Sequence, residues 1–199
     1  MLESHPFFFI YHDFLAKKKG NLDNYIFHFS RYTYIPDSIE DKRFCFTLKG
    51  SEFTEERINL ELSKLEEGEE LAFHSKIEIN KRIYHFPFVD FSIPINDWSF
   101  ERDFIRLKRL IPDSIIKQLA LFNSGRSLHA YSLELLSNQE WIDFMGRLLL
   151  VDLVNSPYKL IDSRWVGHRL IGRYSSLRWS NNSDKYLSEP VRIKQVYPA

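Results

Sequence analysis

The chain has 199 residues and a mass of 23.8 kDa, enough for one well-buried core and crowded for a second full domain. Apolar residues make up 44% and charged residues 27%, with seventeen Phe, ten Tyr and four Trp, a composition that excludes a disordered chain. Lys and Arg balance Asp and Glu at 27 each, which disfavours a protein that holds nucleic acid through an overall positive field.

The neutrality hides an asymmetry. Residues 1–100 hold 12 Lys or Arg against 17 Asp or Glu, while residues 101–199 hold 15 against 10. The second excess falls between Lys159 and Lys194, where eight basic residues face three acidic ones, so a focused basic patch can still hold phosphates. No stretch approaches the ~20 apolar residues that span a bilayer. The start, "MLESHPFFFIYHDF", lacks a basic region and does not read as a secretory signal. The single cysteine, Cys45, excludes an internal disulfide and makes a cytoplasmic setting the expectation. In "RFCFTL" it reads as a small buried hydrophobe.

In chain order, "FFFIYHDFLAKKKG" reads as a helix or a covering segment closed by Gly20. "NYIFHFSRYTYI" and "KRFCFTLKG" alternate as strands. The acidic stretch 51–70 serves as a helix capped by Thr54 or as a strand through "RINLEL". "ELAFHSKIEINKRIYHFPFVDFSIPI" gives two strands with a turn near Asn80 and Lys81. The second is apolar throughout, as a central strand covered on both faces would be. Residues 98–123 change to helical period, with Pro112 and Asp113 dividing two helices and 123–125 closing the second. A strand, "SLHAYSLEL", precedes a helix, "QEWIDFMGRLLLVDLV", capped by Ser137 or Asn138. The last quarter reads as short strands and polar loops.

Three stretches carry candidate chemistry. Asp90 lies in the apolar strand "FPFVDFSIPI" and needs a partner, a backbone satisfaction or a metal. It shares a face with Ser92, a weak neutral ligand where hard-metal chemistry favours a carboxylate. In "SGRSLHAY", the polar turn and Arg126 suit a phosphate, and His129 can donate to a phosphate oxygen or bind metal. The basic stretch after Asp162 holds Arg164, His168, Arg169, Arg173 and Arg178 with Trp165, Tyr174 and Trp179 interleaved, so that bases could stack. Its arginines recur at four or five residues and would converge only through a bend near Gly167 or Gly172. The bland alternatives are a satisfied strand aspartate, a packed histidine and a solvated arginine hairpin. Histidines 5, 12, 28, 74 and 85 form no zinc spacing, and no Walker loop, dinucleotide fingerprint or nucleophile elbow occurs.

In order, "FPFVDFSI", "SGRSLHAYSLEL" and "DSRWVGHRLIGRYSSLRWS" resemble the three catalytic motifs of the archaeo-eukaryotic primase and primase-polymerase superfamily. The family form is two metal acids one residue apart on a strand, a serine-x-histidine turn on the nucleotide's phosphates, and a third acid followed by basic residues. The resemblance covers about residues 80–180 and implies an α+β fold of the primase catalytic-core type, an RRM-like central sheet with flanking helices, within one domain over 1–199. It assigns Asp90, His129 and Asp162 as catalytic, with Asp90 and Asp162 holding Mg²⁺ or Mn²⁺. Arg126, Ser127, His129, Arg173 and Arg178 become nucleotide or phosphate contacts, and Arg164, Arg169 and Trp179 nucleic-acid contacts.

The implied activity is nucleotidyl transfer in DNA replication, with a nucleoside triphosphate and DNA or RNA as partners and a helicase or accessory primase subunit beside it. No membrane is involved. Ser92 stands where the family has its second acid, so either Asp97 or Glu134 completes the site, or the protein is a reduced primase-like module of plasmid, phage or defence biology. A third reading is a scaffold that binds protein through an aromatic surface.

Overall fold

The structure, a computed structural model, describes residues 3–36, 38 and 42–193. Lys194, the last basic residue of the tail, lies outside the described residues. His5 caps a short helix, α1 (Pro6–Phe9), which runs on into a π-helical turn, Ile10–Phe14. Strands β1 (Tyr25–Thr33) and β2 (Arg43–Lys49) follow. The ambiguous acidic stretch resolves as helix α2 (Glu55–Ser63), because the Thr54 side chain accepts the Arg57 N–H and Glu55 and Glu56 occupy its first turn.

Next come β3 (Glu69–Ile79) and β4 (Arg82–His85). Asn80 and Lys81 join them with φ of 51° and 65°, the two-residue left-handed turn that matches strand twist. After β5 (Phe88–Asp90), a π-helical turn, Phe100–Phe104, leads into α3 (Ile105–Lys108) and α4 (Asp113–Ile116). The second of these helices stops well short of Asn123: Ala120–Asn123 is strand β6, formed where the apolar run "LALF" can be covered on both faces. Then come β7 (Leu128–Tyr131) and α5 (Asn138–Leu150), the helix capped by a reciprocal Ser137–Glu140 box.

The last quarter departs from the expectation of strands and loops. Asp162 caps a helix, α6 (Ser163–Gly172), before β8 (Ser176–Arg178) and β9 (Val191–Arg192). The interior Gly167 and the polar spacing had masked its period.

The strands form two antiparallel sheets. One has the order β2-β1-β3-β4 with β8 paired to β3, the other β5-β7-β6-β9. Phe88, Phe122 and Tyr131 of the smaller sheet pack with Phe27, Phe29 and Phe73 of the larger one and with Trp179. Val89, Phe91, Leu121 and Ala130 pack on the opposite side with Trp141, Phe144 and Leu148 of α5 and Val166 of α6. The smaller sheet is therefore the middle layer of an α+β fold. The single strand expected after Asn80 and Lys81 is divided into β4 and β5, which lie in different sheets. Strand β5 is buried on both faces as expected, yet it ends its sheet rather than lying centrally. Its outer edge is covered by residues 160–162: Phe91 bridges Ile161, Ser92 N–H donates to the Leu160 carbonyl, and Asp162 N–H donates to that of Asp90. Cys45 is exposed on edge strand β2, correcting the expectation of a buried thiol.

Candidate active site

Two sheets meeting through a shared core leave a cleft of about 830 Å³ along the ends of β5 and β7, walled by α6 and β8. A smaller groove of about 330 Å³ between Phe100, Phe104 and Ile116 shares no lining residue with it. Asp90, Ser92, Arg126, Ser127, His129, Asp162, Arg164, Arg169 and Arg178 all line the cleft, although the sequence separates them into three stretches.

Each acid is placed by its element. Asp90 pairs directly with His129 across β5 and β7. Asp162 arrives through the segment that covers the β5 edge, its N–H 3.0 Å from the Asp90 carbonyl oxygen. Its Oδ1 accepts the Trp165 N–H at 2.9 Å, so the same carboxylate caps α6 and faces the cleft. Burial pushes the Asp90 carboxyl up to about 8; the Asp162 carboxylate adds to the rise, and Arg178 and Arg169 oppose it.

His129 is 6% exposed. Burial, and then the charge of Arg178, lowers its imidazole to about 3. The ring is therefore neutral, and its Nε2, 3.7 Å from Asp90 Oδ1, makes neither an ion pair nor a hydrogen bond with it. Its Nδ1 is buried without a hydrogen-bond partner among the described residues. Before His129 runs the 124–127 turn: Ser124 N–H donates to the Ser127 carbonyl, and Gly125 N–H to Asn123 Oδ1. Arg126 is exposed at its tip.

The basic stretch converges by a route the sequence did not suggest. Helix α6 carries Arg164 and Arg169, Arg173 ends it in the left-handed region with φ 61°, and β8 returns Arg178 to the cleft. The bend is at Arg173 rather than at a glycine. Arg173 itself is exposed and outside the cleft lining. Trp179 is 0% exposed and stacks on Phe73 with ring centroids 4.4 Å apart, so it offers no face to a base. Arg178 is only 4% exposed, and its terminal nitrogens donate to the carbonyls of Ser124, Ser180 and Ser188. Neither Asp97 nor Glu134 reaches the cleft; Glu134 accepts a hydrogen bond from Gln118 at 2.7 Å.

Sequence reasoning missed Tyr32, Arg43, Asp184 and Tyr186, which also line the cleft. Arg43 lies over the Tyr32 ring at 4.2 Å and Arg178 over that of Tyr186 at 3.9 Å. No local signal in the sequence marks them as site residues. The lining holds Arg43, Arg126, Arg164, Arg169, Arg178 and Lys185 against Asp90, Asp162 and Asp184, an excess of cations that draws anions into the cleft of a neutral molecule.

A family model described as AEP-like, archaeo-eukaryotic primase 1D-like, matches residues 49–191. The chain belongs to this AEP-like family. The match takes in all three motif-bearing stretches and starts at Lys49, the end of β2. Strand β1 thus lies outside it, although β1 pairs with β3 inside it. No curated protein and no solved structure matches the chain. Among the described residues, no helix of this AEP-like protein is long and apolar enough to cross a membrane.

Proposed function

We propose that the cleft binds a nucleoside triphosphate together with one divalent cation and transfers its nucleotidyl group to the 3′-hydroxyl of a nucleic-acid strand. The observation that carries this reading is the convergence of Asp90, His129 and Asp162, from three distant segments, on one cation-lined cleft beside the 124–127 turn.

The donor set fits a single hard cation. Among the described residues no three carboxylate, histidine or thiol groups gather as a metal cluster. Two carboxylates suffice for Mg²⁺ or Mn²⁺ when phosphate oxygens and water complete the shell. The charge that burial and Asp162 make costly on Asp90 is the charge such a cation would offset. Asp90 and the Oδ2 side of Asp162 would hold it, with Ser92 as a neutral neighbour. When bound, the ion withdraws charge from phosphoryl oxygens and favours the alkoxide form of a hydroxyl beside it.

The chain's own residues do the rest. Arg126 and the Ser124 and Ser127 hydroxyls bind the phosphates, with the turn amides not already spent on Ser127 and Asn123. Neutral His129 adds no charge and can donate one N–H, from Nε2, to a phosphate oxygen. Arg164, exposed on α6, faces the strand that supplies the hydroxyl, while Arg169, buried with its Nη1 donating to Ser176 Oγ at 2.9 Å, lends its charge to the cleft wall. The 3′-oxygen forms a bond to the α-phosphorus, the bond from that phosphorus to the bridging oxygen breaks, and pyrophosphate leaves with its charge met by the turn and the arginines. The hydroxyl proton passes to water in the open cleft.

A second reading is a module that holds nucleotide or nucleic acid without transfer. Ser92, at the position that resembles the family's second acid, favours it, because one fewer carboxylate weakens alignment of the reacting oxygens. The aromatic scaffold has less support: only Tyr34 and Phe44 are exposed aromatic side chains among the described residues.

Incorporation of labelled nucleotide on a primed template with Mg²⁺ or Mn²⁺ tests the proposal. Turnover that disappears in Asp90→Ala supports transfer. Salt-sensitive binding without turnover supports the module.

A further inference from the structure

We infer that Arg178 is a positioning residue that ties the 124–127 turn to segment 180–188, rather than a ligand of phosphate. The inference rests on the reading of that turn as the triphosphate contact. Arg178 Nη2 donates to the Ser124 carbonyl at 2.5 Å and to the Ser188 carbonyl at 3.1 Å, and Nη1 donates to the Ser180 carbonyl. The Tyr186 ring lies 3.9 Å from its guanidinium carbon. One buried cation thus gathers three carbonyls and a ring from the turn, from the end of β8 and from the segment beyond it. Carbonyl dipoles and a ring face compensate a charge removed from water, and a phosphate would have to displace them.

An independent contact joins the same two segments. Gly125 has φ +107°, and a Cβ placed there would meet Leu187 N at 3.1 Å and Ser188 N at 3.2 Å. The backbone of the turn therefore lies directly against the segment, and Arg178 fastens the two from the other side. The three bonds are shared between two terminal nitrogens of a rigid planar fork, whereas a lysine ammonium offers its three donors from a single atom and does not reproduce that spread. Arg126, exposed at the tip of the turn, is the guanidinium placed to meet phosphate.

The test uses the full chain and a nonhydrolysable nucleoside triphosphate with Mn²⁺, titrated at several salt concentrations, alongside amide hydrogen exchange without nucleotide. Arg178→Lys should weaken binding about tenfold or more, as much as Arg178→Met, while leaving the salt dependence as in the wild type. Arg126→Ala should weaken binding and flatten the salt dependence. In Arg178→Lys the amides of 124–127 and 181–188 should exchange faster together. Gly125→Ala, which removes no charge, should do the same and serves where Arg178→Lys fails to fold.

Near-normal affinity in Arg178→Lys with a flattened salt dependence in Arg178→Met would make Arg178 a phosphate contact and overturn the inference, as would faster exchange in only one segment. If the wild type binds no triphosphate, the nucleotide reading fails on its own. Exchange then decides whether the tie exists.

Discussion

Asp162 donates its backbone N–H to the carbonyl of Asp90 at 3.0 Å, so the two acids of the cleft are fastened through their main chains. Their carboxylates are held near enough that the charge on Asp162 raises the Asp90 carboxyl, burial being the larger cause. A fold that served stability alone would place a cation or an apolar side chain at such a corner.

With its carboxyl pushed up to about 8, Asp90 is mostly protonated in the folded protein at neutral pH. Asp90→Asn therefore keeps the size of the side chain and removes the cost of protonating a group that is ionised in the unfolded chain. The metal-free protein should gain on the order of 2 kcal/mol at neutral pH, read as a rise in the urea midpoint with an unchanged slope. The same substitution should abolish the stabilisation that Mn²⁺ gives the wild type. A variant less stable than wild type without metal would mean that the Asp90 carboxylate is already compensated within the chain.

His5 links α1 to β8. Its Nδ1 accepts the Phe7 N–H at 3.1 Å, which leaves Nε2 as the donor to the Trp179 carbonyl at 2.7 Å. Burial lowers its pKa from 6.5 to about 4, the bond to Trp179 opposing the fall. Because the folded state binds the proton less well, this stability is complete above the unfolded pKa and declines as pH falls from about 6.5 towards 4. At pH 5 His5 alone should cost about 2 kcal/mol relative to pH 7. Thermal unfolding across this range should show a steeper decline in the wild type than in His5→Gln, itself less stable at pH 7.

Arg173 and Trp179 separate fold from function. Arg173→Gly replaces a left-handed side-chain residue with the one that adopts φ 61° without strain, so stability should rise by roughly 0.5–1 kcal/mol with triphosphate binding unchanged. Trp179→Ala should cost about 3–5 kcal/mol by opening the stack with Phe73, measured by denaturant unfolding. Trp179→Phe should keep ligand binding. Selective loss of nucleic-acid affinity in a stable Trp179→Phe protein would return Trp179 to the binding surface.

The motif residues were legible because their chemistry conflicts with their surroundings: an aspartate in "FPFVDFSI" or a histidine after a polar turn is costly without a reason. Strand alternation gave β1, β3 and β4 and the Asn80–Lys81 turn, since period two and turn chemistry are local. What was not legible depends on long-range contact. Strand β6 looked helical because a run of four apolar residues has no period of its own. Helix α6 was hidden by Gly167 and by Arg169, a buried charge on the face where a leucine would have announced a core. Tyr32, Arg43 and Tyr186 come to the cleft from both ends of the chain, and nothing local marks them. Arg178 was legible as an arginine near the site, while its three carbonyl partners were not.

The central claim is most directly tested by a crystal structure of the protein with Mn²⁺ and a nonhydrolysable nucleoside triphosphate, using anomalous scattering to locate the metal. The account predicts one Mn²⁺ between the carboxylates of Asp90 and Asp162, with the triphosphate oxygens against the 124–127 turn and Arg126. Metal and triphosphate bound away from these residues, or a cleft that stays without either at saturating concentrations, would contradict it.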